Sequence, residues 1–348
     1  MADEARREAR WLGDGDGLPD LVARLRGGLP GGSPGLLALL IGLIALFSAA
    51  VPGFASLGTA RSFMVQLPVL GLLSLAMVVP LISGGLNLAI IATANQCALA
   101  MAWIMRSGLA PGSGIGVTAA VVLVALAAGL ALALAIGLAT GALVAYTGVH
   151  PILVTLGTRS VIDGISVYLT RGEAISGLPP VYAAVGNASV LGVPVTFALL
   201  VAAGSLVGLV LRRTPFGVAV AMIGSNVEAT RFSAVDVRRV LVGVYALSSV
   251  LCFAAAVVTL AVFNSASADY AQSYLLVTIL AAVLGGVDPF GGFGRVSGLM
   301  LALAVLQVIS SGFNQYGLSP YLATAIWGLT LIAVVAAQTA WTYLARSR

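Results

Sequence analysis

Long apolar runs without charge constrain this chain of 348 residues more than any other feature of its sequence. A hydrocarbon core about 30 Å thick is crossed by about 20 apolar residues in a helix, and many of the runs reach that length. Only 8% of the residues are charged, whereas soluble domains carry about 25%. We therefore predict an all-α, polytopic membrane protein, and we exclude a soluble enzyme, a disordered chain and a disulfide-stapled chain.

The apolar runs predict about ten transmembrane helices in a single transmembrane domain, 36–341, between a tail at 1–35 and a short tail at 342–348. A G-x-x-x-G spacing at Gly137 and Gly141 allows close helix packing, of which dimerisation is only one use. The predicted spans are 36–52, 62–82, 88–106, 115–140, 152–170, 194–211, 239–262, 273–286, 296–312 and 321–341.

Arginines predict the orientation, because positive charge is concentrated in cytoplasmic loops. With the N-terminus inside, thirteen arginines fall in cytoplasmic segments, and only Arg61, Arg106 and Arg171 fall outside. We therefore expect a multi-pass protein of the bacterial inner membrane with both termini in the cytoplasm. The formal net charge of +5 follows from this topology and does not indicate a nucleic-acid partner.

The chain contains no lysine, since all 17 basic residues are arginine. A Walker A phosphate loop needs its lysine, so the chain cannot form that ATPase site. A single histidine and two cysteines give no cluster with metal-ligand spacing. We predict no catalytic residue, metal or cofactor in this chain, and any ATP energy must come from another polypeptide.

Glycine-rich interruptions predict broken or re-entrant helices, which are typical of transporters and channels. Only SGGLNL at 83–88 separates the second and third spans, and the short eighth span runs into GGVDPFGGFGR at 285–295. Segments 148–155 and 317–324 share G-x-x-P-x-L-x-T and enter the membrane from opposite sides in the predicted topology. This pattern suggests an inverted repeat.

The longest polar stretch between spans lies at 212–239 and reads RRTPFG followed, from 221, by AMIGSNVEATRFSAVDVRR. Asn226 or Ser225 can cap a short helix whose first turn contains Glu228, where a negative charge is favourable. This helix is either an interfacial helix held at the lipid headgroups by arginine or a docking element for a cytoplasmic partner.

This stretch resembles the cytoplasmic coupling region of the ribose-type permeases of ABC importers, whose pattern is T-x-F-G…A-I-G-x-N-x-x-A-A-R-x-S-G-I. Three further blocks resemble the same family: SGGLNL at 83–88, PILVTLGT at 151–158 with the sequence up to 172, and the glycine-rich 284–294 with GFNQYGLSP at 312–320. The four blocks follow in order and span nearly everything from 36 to 341. The family belongs to a superfamily that also contains the branched-chain amino-acid permeases.

The resemblance implies the membrane-spanning subunit of a binding-protein-dependent ABC importer for a monosaccharide or related polyol. It implies separate ATPase subunits that hold ATP and Mg, a periplasmic substrate-binding protein, and a second permease copy, identical or homologous. Asn87 stands where the family has Asp, Ala89 where it has Ser, Asp163 where it often has Arg, and Ala234 where it has Gly. By resemblance, the residues that couple to the ATPase are Gly224, Asn226, Glu228, Ala229, Arg231 and Ser233.

Polar side chains inside the predicted spans are candidates for the translocation path, since an intramembrane ionisable residue is by default a functional hypothesis. Arg159 and Asp163 are separated by four residues and can pair on one helix face. The pair either neutralises itself and locks helix packing or lines the path, and for the amides an interhelical hydrogen bond is the alternative. The path candidates are Gln66, Asn87, Asn95, Gln96, Arg159, Asp163 and Gln307.

The sequence leaves two alternative functions open. One is an amino-acid or nucleoside importer of the same superfamily, with the same architecture. The other is a secondary transporter driven by an ion gradient, which requires a membrane-embedded carboxylate or histidine relay. Only Asp163 meets that requirement, and it has Arg159 as a predicted partner.

Overall fold

A computed structural model of the chain describes residues 33–109, 113–190 and 192–317, together with the isolated positions 322, 325, 328 and 329. Nine of the ten predicted spans coincide with helices, which confirms the all-α architecture. The tenth span, the second copy of the repeat beyond residue 317, and nearly all of both tails lie outside the described residues. The helices are α1 (Ser33–Ala50), α2 (Leu57–Ile82), α3 (Ile90–Ser107), α4 (Ile115–Thr147), α5 (Pro151–Thr170), α6 (Pro180–Asn187), α7 (Val195–Arg213), α8 (Pro215–Ser225), α9 (Val227–Phe232), α10 (Val237–Phe263), α11 (Tyr274–Leu284) and α12 (Val296–Gln315).

Helix α2 lies at the centre of the fold. Every residue from 67 to 82 is buried, and the helix packs against α10, α7, α11 and α12. Because it is apolar around its whole circumference, it has no face suited to solvent and is surrounded by other helices. Ser56 begins the helix by accepting a hydrogen bond from the backbone N–H of Thr59.

The G-x-x-x-G spacing of α4 serves packing inside the chain. Gly137 and Gly141 face α10, and a Cβ atom on Gly141 would lie 2.8 Å from the Cα atom of Val242. Small residues let helix backbones approach closely and gain dispersion contacts where no water is displaced. These two glycines therefore explain the close contact of α4 with α10 without a second copy of the chain.

Six of the described helices are long and apolar enough to cross a membrane: α2, α4, α5, α7, α10 and α12. Three shorter apolar helices accompany them, α1, α8 and α11. Helices α4, α5 and α7 leave most of their apolar side chains at the surface. Such a surface is stable against lipid or another apolar protein face, so the chain is a multi-pass membrane protein.

Short strands occur at one end of the helical bundle. Strand β1 (Ile175–Ser176) pairs antiparallel with β4 (Ser265–Ala266), and β2 (Ser189–Val190) pairs antiparallel with β3 (Val193–Pro194). The segment 171–194 that carries them also lies beside Arg61 and Arg106. These two arginines are thus near the loops that the sequence analysis assigns to the outer side.

Candidate functional site

The predicted coupling stretch folds as two short helices joined by one residue. Thr214 begins α8 by accepting a hydrogen bond from the N–H of Gly217 at 3.3 Å. Asn226 ends α8 and begins α9, with its side-chain oxygen accepting from the N–H of Ala229 at 3.0 Å. The predicted cap of a short helix is therefore confirmed, and Asn226 fixes the angle between α8 and α9.

The side of α9 that carries Glu228 and Arg231 is accessible, and Phe232 at the end of the helix is exposed as well. Arg231 donates to Glu228 at 2.8 Å, and the two side chains are 60% and 71% exposed. On the other side of α9, a groove of about 470 Å³ runs along α8, α9 and the end of α7. Of the predicted coupling residues, Asn226, Ala229 and Ser233 line this groove. The ion pair and the groove are thus two accessible surfaces, on opposite sides of α9, that another protein can contact.

Gly224 lies on the opposite side of this segment, in contact with the body of the protein. A Cβ atom at this position would lie 2.0 Å from the backbone oxygen of Ile82 and 2.3 Å from the backbone nitrogen of Gly292. The same Ile82 oxygen accepts a hydrogen bond from the N–H of Gly292 at 2.8 Å. Gly291 has φ +95° and packs directly on the backbone of Gly84.

Three glycine-rich segments far apart in sequence therefore meet at one place, which we call the glycine junction: residues 82–84, 224 and 291–292. The first ends α2, the second ends α8, and the third belongs to the loop between α11 and α12. Any displacement of α8 must move or break its contact with both helix interruptions, because no side chains cushion the contact. The junction connects the predicted coupling stretch with two interruptions between helices.

The interruption at 83–88 is anchored to two further helices. Asn87 donates to the hydroxyl of Ser248 in α10 at 3.0 Å, and Ser248 donates to the backbone oxygen of Ala76 at 2.7 Å. Thr155 in α5 donates to the backbone oxygen of Leu86 at 3.0 Å. These bonds satisfy polar groups that a broken helix would otherwise leave unpaired at membrane depth.

Four of the predicted path residues meet on a common face. Along α5, polar side chains recur every three or four residues and so share one side of the helix. Arg159 and Asp163 form the predicted ion pair at 3.4 Å, with 28% and 31% of their side chains exposed. Arg159 also donates to Gln272 at 2.7 Å. These residues and their polar neighbours form a group that we call the polar seam: Asn95, Gln96, Arg159, Asp163, Ser166, Thr170 and Gln272.

The seam is closed on its other side by α3 and by the segment after β4. Asn95 donates to the backbone oxygens of Ala268 and Tyr270 at 2.7 and 2.9 Å, and Ser166 donates to Gln96. A cavity of about 800 Å³ opens beside Gln96, Ser166 and Thr170 and reaches Arg106 at the end of α3. Polar groups thus continue from mid-helix to an open cavity at the helix end.

The remaining path candidates lie elsewhere. Gln307 in α12 donates to Gln66 in α2 at 3.1 Å and to Ser311 at 3.2 Å, which is an interhelical amide contact. Asn87 belongs to the anchored interruption described above. The seven candidates therefore form three separate groups, and only the polar seam combines charged, amide and hydroxyl side chains beside a cavity.

The described part of the chain contains no group of three or more His, Cys, Asp or Glu side chains that could hold a metal ion. Cys97 and Cys252 are both free and buried.

Comparison with known proteins identifies the family. A sequence profile described as "Branched-chain amino acid transport system / permease component" matches residues 59–335. The chain belongs to this family. The match includes the glycine junction, the polar seam and the coupling segment.

Several curated relatives align with most of this chain. The autoinducer 2 import system permease protein LsrD of Photorhabdus temperata is 29% identical over 310 residues, covering 87% of this chain and 90% of the relative. LsrD of Enterobacter sp. strain 638 is 30% identical over 306 residues, covering 86% and 90%. No solved structure shows a significant match.

Sequence reasoning missed several residues of the permease that the structure places at these sites. Ser166 and Thr170 follow Arg159 and Asp163 at helical spacing, so the periodicity of α5 could have indicated them. Ser248 and Gln272 carry no such signal, because they are joined to Asn87 and Arg159 only by tertiary packing.

Proposed function

We propose that this chain is the membrane-spanning subunit of a binding-protein-dependent ABC importer that carries a monosaccharide or related polyol across the bacterial inner membrane. The observation that carries this proposal is the glycine junction. It joins the exposed helices α8 and α9, which face the cytoplasm in the proposed orientation, to two helix interruptions. A permease subunit that is driven by another protein requires such a connection. Membership of a permease family supports the same conclusion.

The energy source is a separate ATPase subunit, which holds the ATP and Mg. The chain has no lysine with which to build a Walker A loop of its own. The docking surface is the exposed side of α9 that carries the Glu228–Arg231 pair, together with the groove along α8 and the other side of α9. In the proposed orientation, with both termini in the cytoplasm, this surface faces the cytoplasm.

Closure of the ATPase displaces α8 and α9, and the glycine junction transmits the displacement to 82–84 and 291–292. From there, Thr155 carries it to α5 and Asn87 carries it to α10. Packed interfaces switch between discrete arrangements rather than deforming continuously. The permease therefore alternates between two packings that open the path on opposite sides.

The polar seam is the part of the path that contacts the cargo. Its amides, hydroxyls and ion pair offer donors and acceptors suited to the hydroxyl groups of a polyol. The polar groups of the seam are few, and most of them already form hydrogen bonds within the protein. They therefore bind the cargo weakly. Weak binding favours release, which a transport path requires.

The cargo is delivered by a periplasmic binding protein, on which most of the selectivity resides. The relatives LsrD are named as permeases of autoinducer 2 import, so autoinducer 2 is the first ligand to test beside simple sugars. Screening ligands on the co-expressed binding protein separates this proposal from an amino-acid or nucleoside importer. A binding protein selective for amino acids would overturn the sugar assignment.

A second permease copy completes the pathway. Helices α4, α5 and α7 expose apolar side chains along most of their length, which leaves faces for the second copy as well as for lipid. The copy is either identical or a homologous permease.

The docking assignment is tested by replacing both members of the exposed pair, Glu228→Ala with Arg231→Ala. Surface ion pairs contribute only about 0–1 kcal/mol to stability, so the variant is expected to reach the membrane at normal yield. Uptake should be abolished, and copurification of the ATPase should be lost, as measured in cells that express the whole importer.

The matched control is Asp236→Asn with Arg239→Gln, which removes a second exposed i,i+3 pair with an N···O distance of 2.9 Å. The asparagine side chain that replaces the Asp236 carboxylate should keep the cap of α10, since asparagine is also a good N-cap residue. This control should transport normally. Normal uptake in the Glu228/Arg231 variant would contradict the docking assignment.

A further inference from the structure

A basic groove lies between α7 and α12, at the end of the bundle that carries the coupling segment. Its volume is about 620 Å³, and its mouth is formed by Arg212 and Arg213 at the end of α7 and Arg295 at the start of α12. None of the residues that line it is acidic. The ion pairs found among the described residues involve none of these three arginines.

Below the arginines most of the lining residues are apolar, with Ser205 as the polar exception on α7. Gly204 and Gly208 of α7 and Met300 of α12 line it. A Cβ atom on Gly208 would lie 3.7 Å from the Cβ atom of Val296, in ordinary van der Waals contact, so a larger side chain at this position would have to occupy the groove. From Gly204 to Arg212 a helix rises about 12 Å, since each residue contributes about 1.5 Å. In the proposed topology, the groove therefore extends from the arginines at the membrane interface toward the hydrocarbon region.

Helix α12 adds a second anion-attracting feature. It begins at Val296, and no side chain caps its first turn. Free N–H groups at a helix N-terminus favour an anion, above all a phosphate. Arginine suits the same ligand, because its guanidinium donates two parallel hydrogen bonds to phosphate oxygens.

We propose that this groove binds one anionic phospholipid, with its phosphate at Arg212, Arg213 and Arg295 and an acyl chain along Gly204 and Gly208. The charge complementarity selects an anionic headgroup, and the apolar floor selects a lipid over a free phosphate. The lipid fills the space between α7 and α12 directly before the coupling segment begins. This inference is independent of the proposed cargo and of the importer assignment.

Native mass spectrometry of the full chain tests the site with phosphatidylglycerol and phosphatidylcholine of identical acyl chains. The unchanged protein should retain one phosphatidylglycerol in preference to phosphatidylcholine. Replacing all three arginines by glutamine should reduce the preference roughly a hundredfold, since each arginine near an anionic surface contributes about a fivefold effect. Gly208→Leu should also lower retention, because its side chain occupies the groove while the arginines stay.

The matched control replaces Arg61, Arg106 and Arg171 by glutamine, which removes the same charge from the other end of the bundle and should keep the preference. Equal retention of the two lipids by the unchanged protein would overturn the proposal, as would an unaltered preference in the triple variant of the groove. Displacement of the bound lipid by inorganic phosphate would also overturn it, because the site would then be one for a free anion.

Discussion

Ala234 occupies a backbone conformation that a residue with a Cβ atom adopts only at a cost. Its φ is 59°, in the left-handed region where the family pattern has glycine. Its N–H donates to the backbone oxygen of Arg231 at 3.2 Å, closing the turn after α9. The turn thus forms despite the departure, and the Cβ atom of alanine destabilises it by about 1 kcal/mol.

Replacing Ala234 by glycine should therefore stabilise the protein by up to about 0.6 kcal/mol, because the relief of about 1 kcal/mol of strain is offset by about 0.4–1 kcal/mol for the greater flexibility of glycine in the unfolded chain. Ala221→Gly, in the helical middle of α8, should have the opposite effect, because glycine in a helix costs about 1 kcal/mol relative to alanine. Thermal unfolding of the purified variants measures both. Destabilisation by both substitutions would contradict the left-handed assignment of Ala234.

At the scale of elements, the glycine junction packs the end of α2, the end of α8 and the loop between α11 and α12 directly against one another. A displacement of one of these segments must move the other two or break the contact. Gly224 contributes no side chain, so backbone touches backbone, and a methyl group at this position would overlap Ile82 and Gly292. A substitution as small as glycine to alanine at the junction should therefore strongly disturb the packing of these elements.

Gly224→Ala should destabilise the protein by about 2 kcal/mol or more, since overpacking against backbone cannot be relieved by side-chain rotation. Folded yield in detergent and the midpoint of thermal unfolding report this loss. Gly157→Ala is the matched control, because no atom lies within 4 Å of a Cβ there and alanine favours a helix. Equal tolerance of the two changes would show that the junction is not tightly packed.

The elements were more predictable from sequence than their contacts. The apolar runs gave the helices, because length and hydropathy alone decide what crosses a membrane. The Arg159–Asp163 pair and the Asn226 cap were also predictable, since both are local along the chain. The contacts of Asn87 with Ser248 and of Gly224 with Gly292 were not, because residues this far apart in sequence are joined only by the fold.

At the scale of the whole molecule, the few charged side chains form separate groups at different places in the bundle. Arg212, Arg213 and Arg295 gather at one end of the bundle, and Arg61 and Arg106 lie near the segment 171–194. The Arg159–Asp163 pair belongs to the polar seam. Under the proposed function and orientation, this division would leave the cytoplasmic face for the ATPase and for lipid headgroups, and the seam for the cargo.

The proposed function has another protein's ATP drive this permease. It is tested most directly by uptake into proteoliposomes, with the ligand that its periplasmic binding protein retains. Vesicles that contain the permease and its ATPase should accumulate the ligand only when ATP and the binding protein are supplied. Vesicles that contain this chain alone should accumulate none under a proton gradient, and accumulation there would contradict the account.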